Sequence, residues 1–276
     1  VTMLLDNGVD LHSYQPTADD IVKISDCDLF IYVGGESDGW VEDALKNATN
    51  KDMKVVNLLE VLGDKVKNEE VVEGMQEEEH EHEDGEEHEE GEEHEHEEEA
   101  DEHVWLSLKN AEVLVGTISN ALQEVDPGNK DAYAANADAY VKKLSALDAD
   151  YQAAVDAATY KTVLFGDRFP FRYMADDYGL SYYAAFAGCS AETEASFETI
   201  SFLAKKVDEL KLPCVLTIEG AQHKIAETIV QNTAEKNQKV LTLDSMQSTT
   251  SKDVTNVTTY LSVMEKNLSV LKEALG

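Results

Sequence analysis

Residues 129–157, NKDAYAANADAYVKKLSALDADYQAAVDA, contain no Gly or Pro. Tyr133, Ala137, Tyr140, Leu144, Leu147 and Tyr151 recur at spacings of three and four, which puts them on one apolar stripe of an α-helix. At 1.5 Å per residue such a helix is roughly 43 Å long. That exceeds what a strand–helix–strand crossover needs, so the stretch reads as a spine between two units. The sequence on either side has a different rhythm. Before it, residues 3–5 form a short apolar run. Thr17 can cap a helix whose first turn holds Asp19 and Asp20, where the helix dipole favours anions. Residues 28–33 (DLFIYV) read as a buried strand closed by Gly34-Gly35, residues 40–48 as a helix and 53–58 as a strand. Residues 104–125 form an amphipathic helix that Asp126-Pro127-Gly128 breaks. After the spine, strands at 162–165, 180–186, 215–218 and 240–243 alternate with helices at 170–178, 196–210, 224–236 and 254–275.

Strands alternating with helices imply parallel sheets. The expected fold class is therefore α/β: two α/β lobes with parallel sheets, joined by one long helix. The expected boundaries are residues 1–127 for the first lobe, 128–160 for the linking helix and 161–276 for the second lobe. Open α/β sheets bind ligands beyond the carboxyl ends of their strands, so a site is expected in the cleft between the lobes. A single helical connector implies small relative motion.

Charge narrows the ligand class. The chain of 276 residues carries a formal net charge of −35. Residues 77–102 hold 18 Asp or Glu and no Lys or Arg, and removing them still leaves 39 acidic side chains against 22 basic ones. Such a balance disfavours nucleic acid, which wants a basic face, and anionic lipid. It suits cations. No run of about 18 apolar residues is present to span a bilayer. Residues 76–102 (QEEEHEHEDGEEHEEGEEHEHEEEADE) have almost nothing apolar to bury and are expected to form an acidic, mobile, His-rich loop.

Of the eight histidines, His80, His82, His88, His94 and His96 lie in that acidic stretch. Carboxylates alone would suit Ca²⁺ or Mg²⁺. Interleaved imidazoles shift the preference toward Zn²⁺, Cu²⁺ and Ni²⁺, so the stretch reads as accessory metal capture. His12, His103 and His223 stand apart, each at the end of a strand or helix of the kind that lines a cleft. Neutral imidazole is the commonest biological metal ligand, and Zn²⁺ takes three or four N or O donors in a tetrahedron. Cys27 and Cys214 sit in strand-like runs and read as buried free thiols. Neither they nor Cys189 form a CxxC, so a thiolate zinc site is not expected. No HExxH or nucleophile–base arrangement points to an enzyme.

GVDLHSYQPTADDIVKI, DLFIYVGGESDGWVEDAL, HVWLSLKNAEVL and TTYLSVMEKNLSVLKEAL resemble the zinc- and manganese-specific solute-binding proteins of ABC importers. The likeness runs through nearly the whole chain in the same order. The His/Glu loop just before HVWL is also where zinc-specific members carry theirs. The resemblance implies a metal site in the cleft, an ABC permease at the membrane as partner, a monomer, and a periplasmic or lipid-anchored location. It makes Zn²⁺ the expected cargo, with Mn²⁺ second, and places the first two metal ligands at His12 and His103. It also implies a strand and helix ahead of Val1, so the chain is expected to start partway into the first lobe. The family's third ligand position falls on Arg168, which carries no lone pair. Asp167 is expected to pair with it. His223 is the expected replacement ligand, with Glu219 and Asp244 as further options; Asp244 falls on the family's closing carboxylate. The alternative function is a surface metal buffer or adhesin-like protein with no transport role.

Overall fold

The computed structural model describes residues 1–6, 8, 10–76, 99–190, 194–220 and 223–276. Thr17 caps the first helix, α1 (Ala18–Asp26), in a reciprocal capping box with Asp20. Strand β1 (Leu29–Tyr32), helix α2 (Val41–Lys46), strand β2 (Lys54–Asn57) and the short helix α3 (Leu58–Leu62) follow. β1 and β2 pair in parallel, Leu29 opposite Lys54 through Tyr32 opposite Asn57. The apolar run at residues 3–5 does not join this sheet, which among the described residues has two strands.

Helix α4 (Leu108–Val125) is capped by Ser107, whose hydroxyl accepts from Asn110 N. The spine is helix α5 (Lys130–Ala157). Its apolar stripe lies where the spacing puts it. Leu144, Leu147 and Tyr151 are buried, and Tyr133, Ala137 and Tyr140 are half-buried. The Tyr151 hydroxyl donates to the Met264 carbonyl at 2.7 Å, which satisfies its one polar atom inside the core.

The second half supplies strand β3 (Thr162–Arg168), helix α6 (Arg172–Tyr178), strand β4 (Ser181–Phe186), helix α7 (Phe197–Leu210), strand β5 (Cys214–Ile218), helix α8 (Lys224–Asn232) and strand β6 (Lys239–Leu243). The four strands form one parallel sheet in the order β4-β3-β5-β6. The expected terminal helix over 254–275 divides in two. Helix α9 (Ser251–Thr255) and helix α10 (Tyr260–Leu275) are separated by Val257, whose φ of 72° no α-helix accommodates. Thr250 and Thr259 each form a capping box, so local hydrogen bonding starts two helices where the apolar period suggested one.

The link between the lobes is broader than one helix. α4 packs along α5, and its two ends serve different cores. Leu108 and Ala111 join the cluster of Leu144, Tyr151, Phe165 and Leu216, while Leu114 packs with Leu62 and Tyr173. Trp105 Nε1 donates to the Ser245 carbonyl at 2.8 Å, and Tyr260 Oη donates to the Trp105 carbonyl at 2.7 Å. Both bonds tie the segment ahead of α4 to the second half of the chain.

Gly166 sets how closely α8 approaches the sheet end that carries Asp167 and Arg168. A Cβ at this position would lie 2.4 Å from Ala226 Cα and 2.7 Å from Ala226 N, both main-chain atoms. Main chain cannot swing aside as a flexible side chain can. Gly166→Ala should therefore destabilise the protein by about 1–3 kcal/mol or more, as overpacked cores do, seen as a lower urea midpoint with an unchanged slope.

Candidate metal centre

His12 sits on a 3-10 turn (Leu11–Ser13) whose N-cap is Asp10; the Asp10 carboxylate accepts from His12 N at 3.1 Å. The chain leaving that turn is pinned by Asp20. Its carboxylate accepts from Tyr14 Oη at 3.1 Å, Thr17 N at 3.0 Å and Thr17 Oγ1 at 2.7 Å. His103 precedes a second 3-10 turn (Val104–Leu106) and has no solvent exposure. The two residues are 91 positions apart in the chain, yet their Nε2 atoms lie 3.1 Å from each other.

The other ring nitrogen of each histidine is spoken for. His103 Nδ1 lies 2.9 Å from Asp101 Oδ1, which also accepts from His103 N. A carboxylate only accepts, so His103 Nδ1 donates to Asp101, and Nε2 is the ring nitrogen turned toward His12. His12 Nδ1 lies 2.8 Å from Ser37 Oγ and 3.4 Å from Glu102 Oε2. Glu102 Oε1 accepts from Ser37 N at 2.9 Å. That contact needs Gly35, where a Cβ would stand 2.3 Å from Glu102 Oε1. Burial pushes the Glu102 carboxyl up, but its contacts with His12 and Ser37 outweigh burial and hold it below its ordinary value. Both imidazoles thus have a carboxylate near Nδ1 and present Nε2 to the other ring, the arrangement that dresses a metal-ligating histidine.

Gln247, also buried, adds an oxygen. With its carboxamide nitrogen toward the Asp10 carboxylate at 3.0 Å, its oxygen lies 2.8 Å from His103 Nε2; this orientation follows from the acceptor-only character of Asp10. Cys189 adds sulfur. His12, His103 and Cys189 each offer a donor atom within 4.8 Å of the others. Lone pairs converging on one point repel unless a proton or a cation sits among them. Two nitrogens bound tetrahedrally to Zn²⁺ at about 2.0–2.1 Å stand roughly 3.3 Å apart, close to the spacing found here. An apolar cavity of about 350 Å³, lined among others by Leu5, Leu11, Trp105 and Met246, borders the cluster. Its lining is almost entirely apolar, so the cation chemistry belongs to the nitrogen, oxygen and sulfur donors beside it.

Cys189 brings a thiol beside the histidines although the sequence has no CxxC. The absence of CxxC excludes only sites whose thiolates are neighbours in sequence. Here a loop after β4 brings the single sulfur in. Burial, with the Glu69 carboxylate beside it, pushes the Cys189 thiol up. Cys27 and Cys214 lie elsewhere, Cys27 against Met53 Sδ at 3.3 Å and Cys214 buried in β5.

The remaining candidates are placed outside the cluster. His223 Nδ1 lies 3.2 Å from Thr217 Oγ1, at the start of α8. Glu219 accepts from Ser245 N, Ser245 Oγ and Gln247 N, and so holds the turn that presents Gln247. Burial raises its carboxyl. Asp244 accepts from Met246 N at 2.9 Å in the same turn. The expected Asp167–Arg168 ion pair also gives way. Arg168 Nη2 donates to Asp10 Oδ2 at 2.6 Å, across the cleft, and Nη1 donates to the Ser190 carbonyl at 3.2 Å. Asp167 instead accepts from Thr217 Oγ1 at 2.5 Å. Two side chains adjacent on a strand point to opposite faces, so neighbours in sequence do not pair across it. His80, His82, His88, His94 and His96 lie outside the described residues.

The family described as zinc-uptake complex component A, periplasmic (ZnuA) matches residues 1–274. The chain is 32% identical over 276 residues to the zinc-binding protein AdcA of Streptococcus pyogenes, covering 99% of this chain and 51% of that protein. It therefore spans about half the length of several curated relatives it matches. It is also 32% identical over 275 residues to the high-affinity zinc uptake system protein ZnuA of Bacillus subtilis, covering all of this chain and 80% of that protein. Among solved structures, the Zn(II)-bound ZnuA-like domain of Streptococcus pneumoniae AdcA superposes with a TM-score of 0.71 at 29% identity, over 99% of this chain and 89% of that one.

The loop that presents His12 depends on Asp20, whose carboxyl the Thr17 hydroxyl above all holds down at about 2 from an ordinary value of 3.8. A depressed folded-state value means stability that is present above pH ~4 and lost as pH falls toward 2. Asp20→Ala should cost about 1 kcal/mol or more at pH 7, the size of a lost helix cap. In urea unfolding at a series of pH values, the gap from wild type should close between pH ~4 and ~2.

Proposed function

The chain belongs to the zinc-uptake complex component A family, and from that premise we propose that it captures Zn²⁺ outside the cytoplasm and passes it to an ABC-type membrane permease. The observation that carries this reading is the pair of imidazoles, His103 buried and His12 half-buried, each backed by a carboxylate, whose Nε2 atoms lie 3.1 Å apart. Such a pair binds a cation that prefers nitrogen in a small tetrahedral shell, which describes Zn²⁺ better than the oxygen-seeking Mn²⁺. Names of relatives support it: zinc-binding protein, zinc-binding lipoprotein and high-affinity zinc uptake protein. An extracytoplasmic location fits the family description and those names, and no helix of the described residues is long and apolar enough to cross a membrane.

In this reading His12 belongs to a lobe of residues 1–127 and the loop carrying Gln247 to a lobe of residues 161–276, with residues 128–160 as the spine. The metal lies where the lobes meet. Asp10 and Arg168 close the same seam, so the guanidinium that would repel a cation is neutralised before one arrives. The acidic stretch serves as an accessory collector through His80, His82, His88, His94 and His96. It raises the local cation concentration without supplying a ligand to the buried site.

Titration of Zn²⁺ against a competing chelator tests the assignment. His12→Ala and His103→Ala should each weaken binding by about two orders of magnitude or more. Asp101→Asn, which disturbs only the support of His103, should cost about 10–100-fold. His223→Ala should leave the affinity near that of the wild type, since its ring is engaged with Thr217. Equal losses at His223 and His12 would move the site into the second lobe. Deleting residues 77–98 should remove weak additional sites and leave the tight one in place. Loss of tight binding on that deletion would show that the acidic stretch supplies a ligand.

A further inference from the structure

Two imidazoles fill half of a zinc tetrahedron. The wall that faces them is the loop of residues 187–190, which follows β4, and it is built for close approach. At Gly188 a Cβ would stand 3.1 Å from His103 Cε1, 3.2 Å from His103 Nδ1 and 3.0 Å from the Phe169 carbonyl oxygen. Any larger residue there would push the loop, and Cys189 with it, off the histidine. The loop is also clamped on both sides of the thiol. Cys189 N donates to Glu69 Oε1 at 2.8 Å, and the Ser190 carbonyl accepts from Arg168 Nη1 at 3.2 Å. A cysteine whose main chain is fixed in this way, with Sγ within 4.8 Å of a ring nitrogen of each histidine, is placed as a ligand is placed. Arg168, in contrast, spends its guanidinium on Asp10 and Ser190 and has no lone pair to offer.

Resting on the zinc-carrier reading, we infer that Cys189, as a thiolate, is the third metal ligand. The site is then two nitrogens and one sulfur, and the Gln247 carboxamide oxygen or a water takes the fourth place. Binding breaks the S–H bond and forms an S–metal bond. The proton leaves to solvent and no oxidation state changes. The thiolate also supplies the one negative charge that the two neutral imidazoles lack. A thiolate is a soft donor. The site should therefore accept Zn²⁺ and Cd²⁺ and discriminate against Mn²⁺ and Mg²⁺ more strongly than a site of nitrogen and oxygen alone.

Cobalt(II) is a spectroscopic stand-in for zinc in this geometry. The full chain loaded with one equivalent of Co²⁺ should show an intense near-ultraviolet thiolate-to-metal charge-transfer band beside the visible bands of a four-coordinate ion. Cys189→Ser should abolish the ultraviolet band while Co²⁺ stays bound through the histidines. Zn²⁺ affinity of that variant should fall at least about tenfold, since losing a ligand costs no less than losing its support. Cys27→Ser with Cys214→Ser should leave the band intact. Tight, His12-dependent Co²⁺ binding without the band in the wild-type chain would overturn the role of Cys189 and leave the zinc-carrier reading standing, as would a band that survives Cys189→Ser. Weak Co²⁺ and Zn²⁺ binding indifferent to His12→Ala would overturn both.

Discussion

An imidazole has one lone pair to give when neutral, and whatever holds its other nitrogen decides where that lone pair points. In this protein Asp101 holds His103 Nδ1, and Ser37 with Glu102 holds His12 Nδ1. Everything else in the first lobe serves that pair of constraints. Gly35 lets Glu102 come close, and the 3-10 turn after β1 brings Ser37 forward. The capping box of α1 anchors the far end of the loop that carries His12. In the proposed reading a cation takes the place between the two Nε2 atoms, which lie 3.1 Å apart.

The second lobe answers with chemistry drawn from three separate turns. Gln247 comes from the turn that Glu219 organises, Cys189 from the loop that Gly188 allows against His103, and Arg168 from the end of β3. All three lie at or just beyond the carboxyl ends of parallel strands, where α/β sheets present their ligands. The Asp10–Arg168 pair spans 158 residues and both lobes. It keeps a fixed positive charge beside a cation site by giving that charge a partner. Trp105 and Tyr260 tie the segment after His103 to the second lobe at the same seam.

Much of this was legible in the sequence because it depends on local pattern. The stripe from Tyr133 to Tyr151 is a property of a 3.6-residue period, and it survives in α5 as buried and half-buried positions. Thr17 with Asp20 is a capping signal four residues long. His12 and His103 stood out because each lies in a motif with a known setting, at the end of an element. What escaped was long-range. Cys189 gives no signal at metal-ligand spacing, since its partners are far away in the chain and its approach depends on a glycine that looks like any loop glycine. Gln247 is a neutral residue in a polar run. Asp167 and Arg168 looked like an ion pair because they are adjacent, yet a strand turns neighbours to opposite faces. The break at Val257 was hidden because its residues do not interrupt the apolar period, although two threonines cap helices on either side.

The central claim is that one divalent ion sits among His12, His103 and Cys189, at the seam between the lobes. A crystal of the zinc-loaded protein, with diffraction recorded on both sides of the zinc absorption edge, tests it directly. The account predicts one strong anomalous peak bonded to both Nε2 atoms at about 2.0–2.1 Å and to Cys189 Sγ at about 2.3 Å. A peak bonded to His223 and Glu219 with the two imidazoles of the first lobe unligated would contradict it.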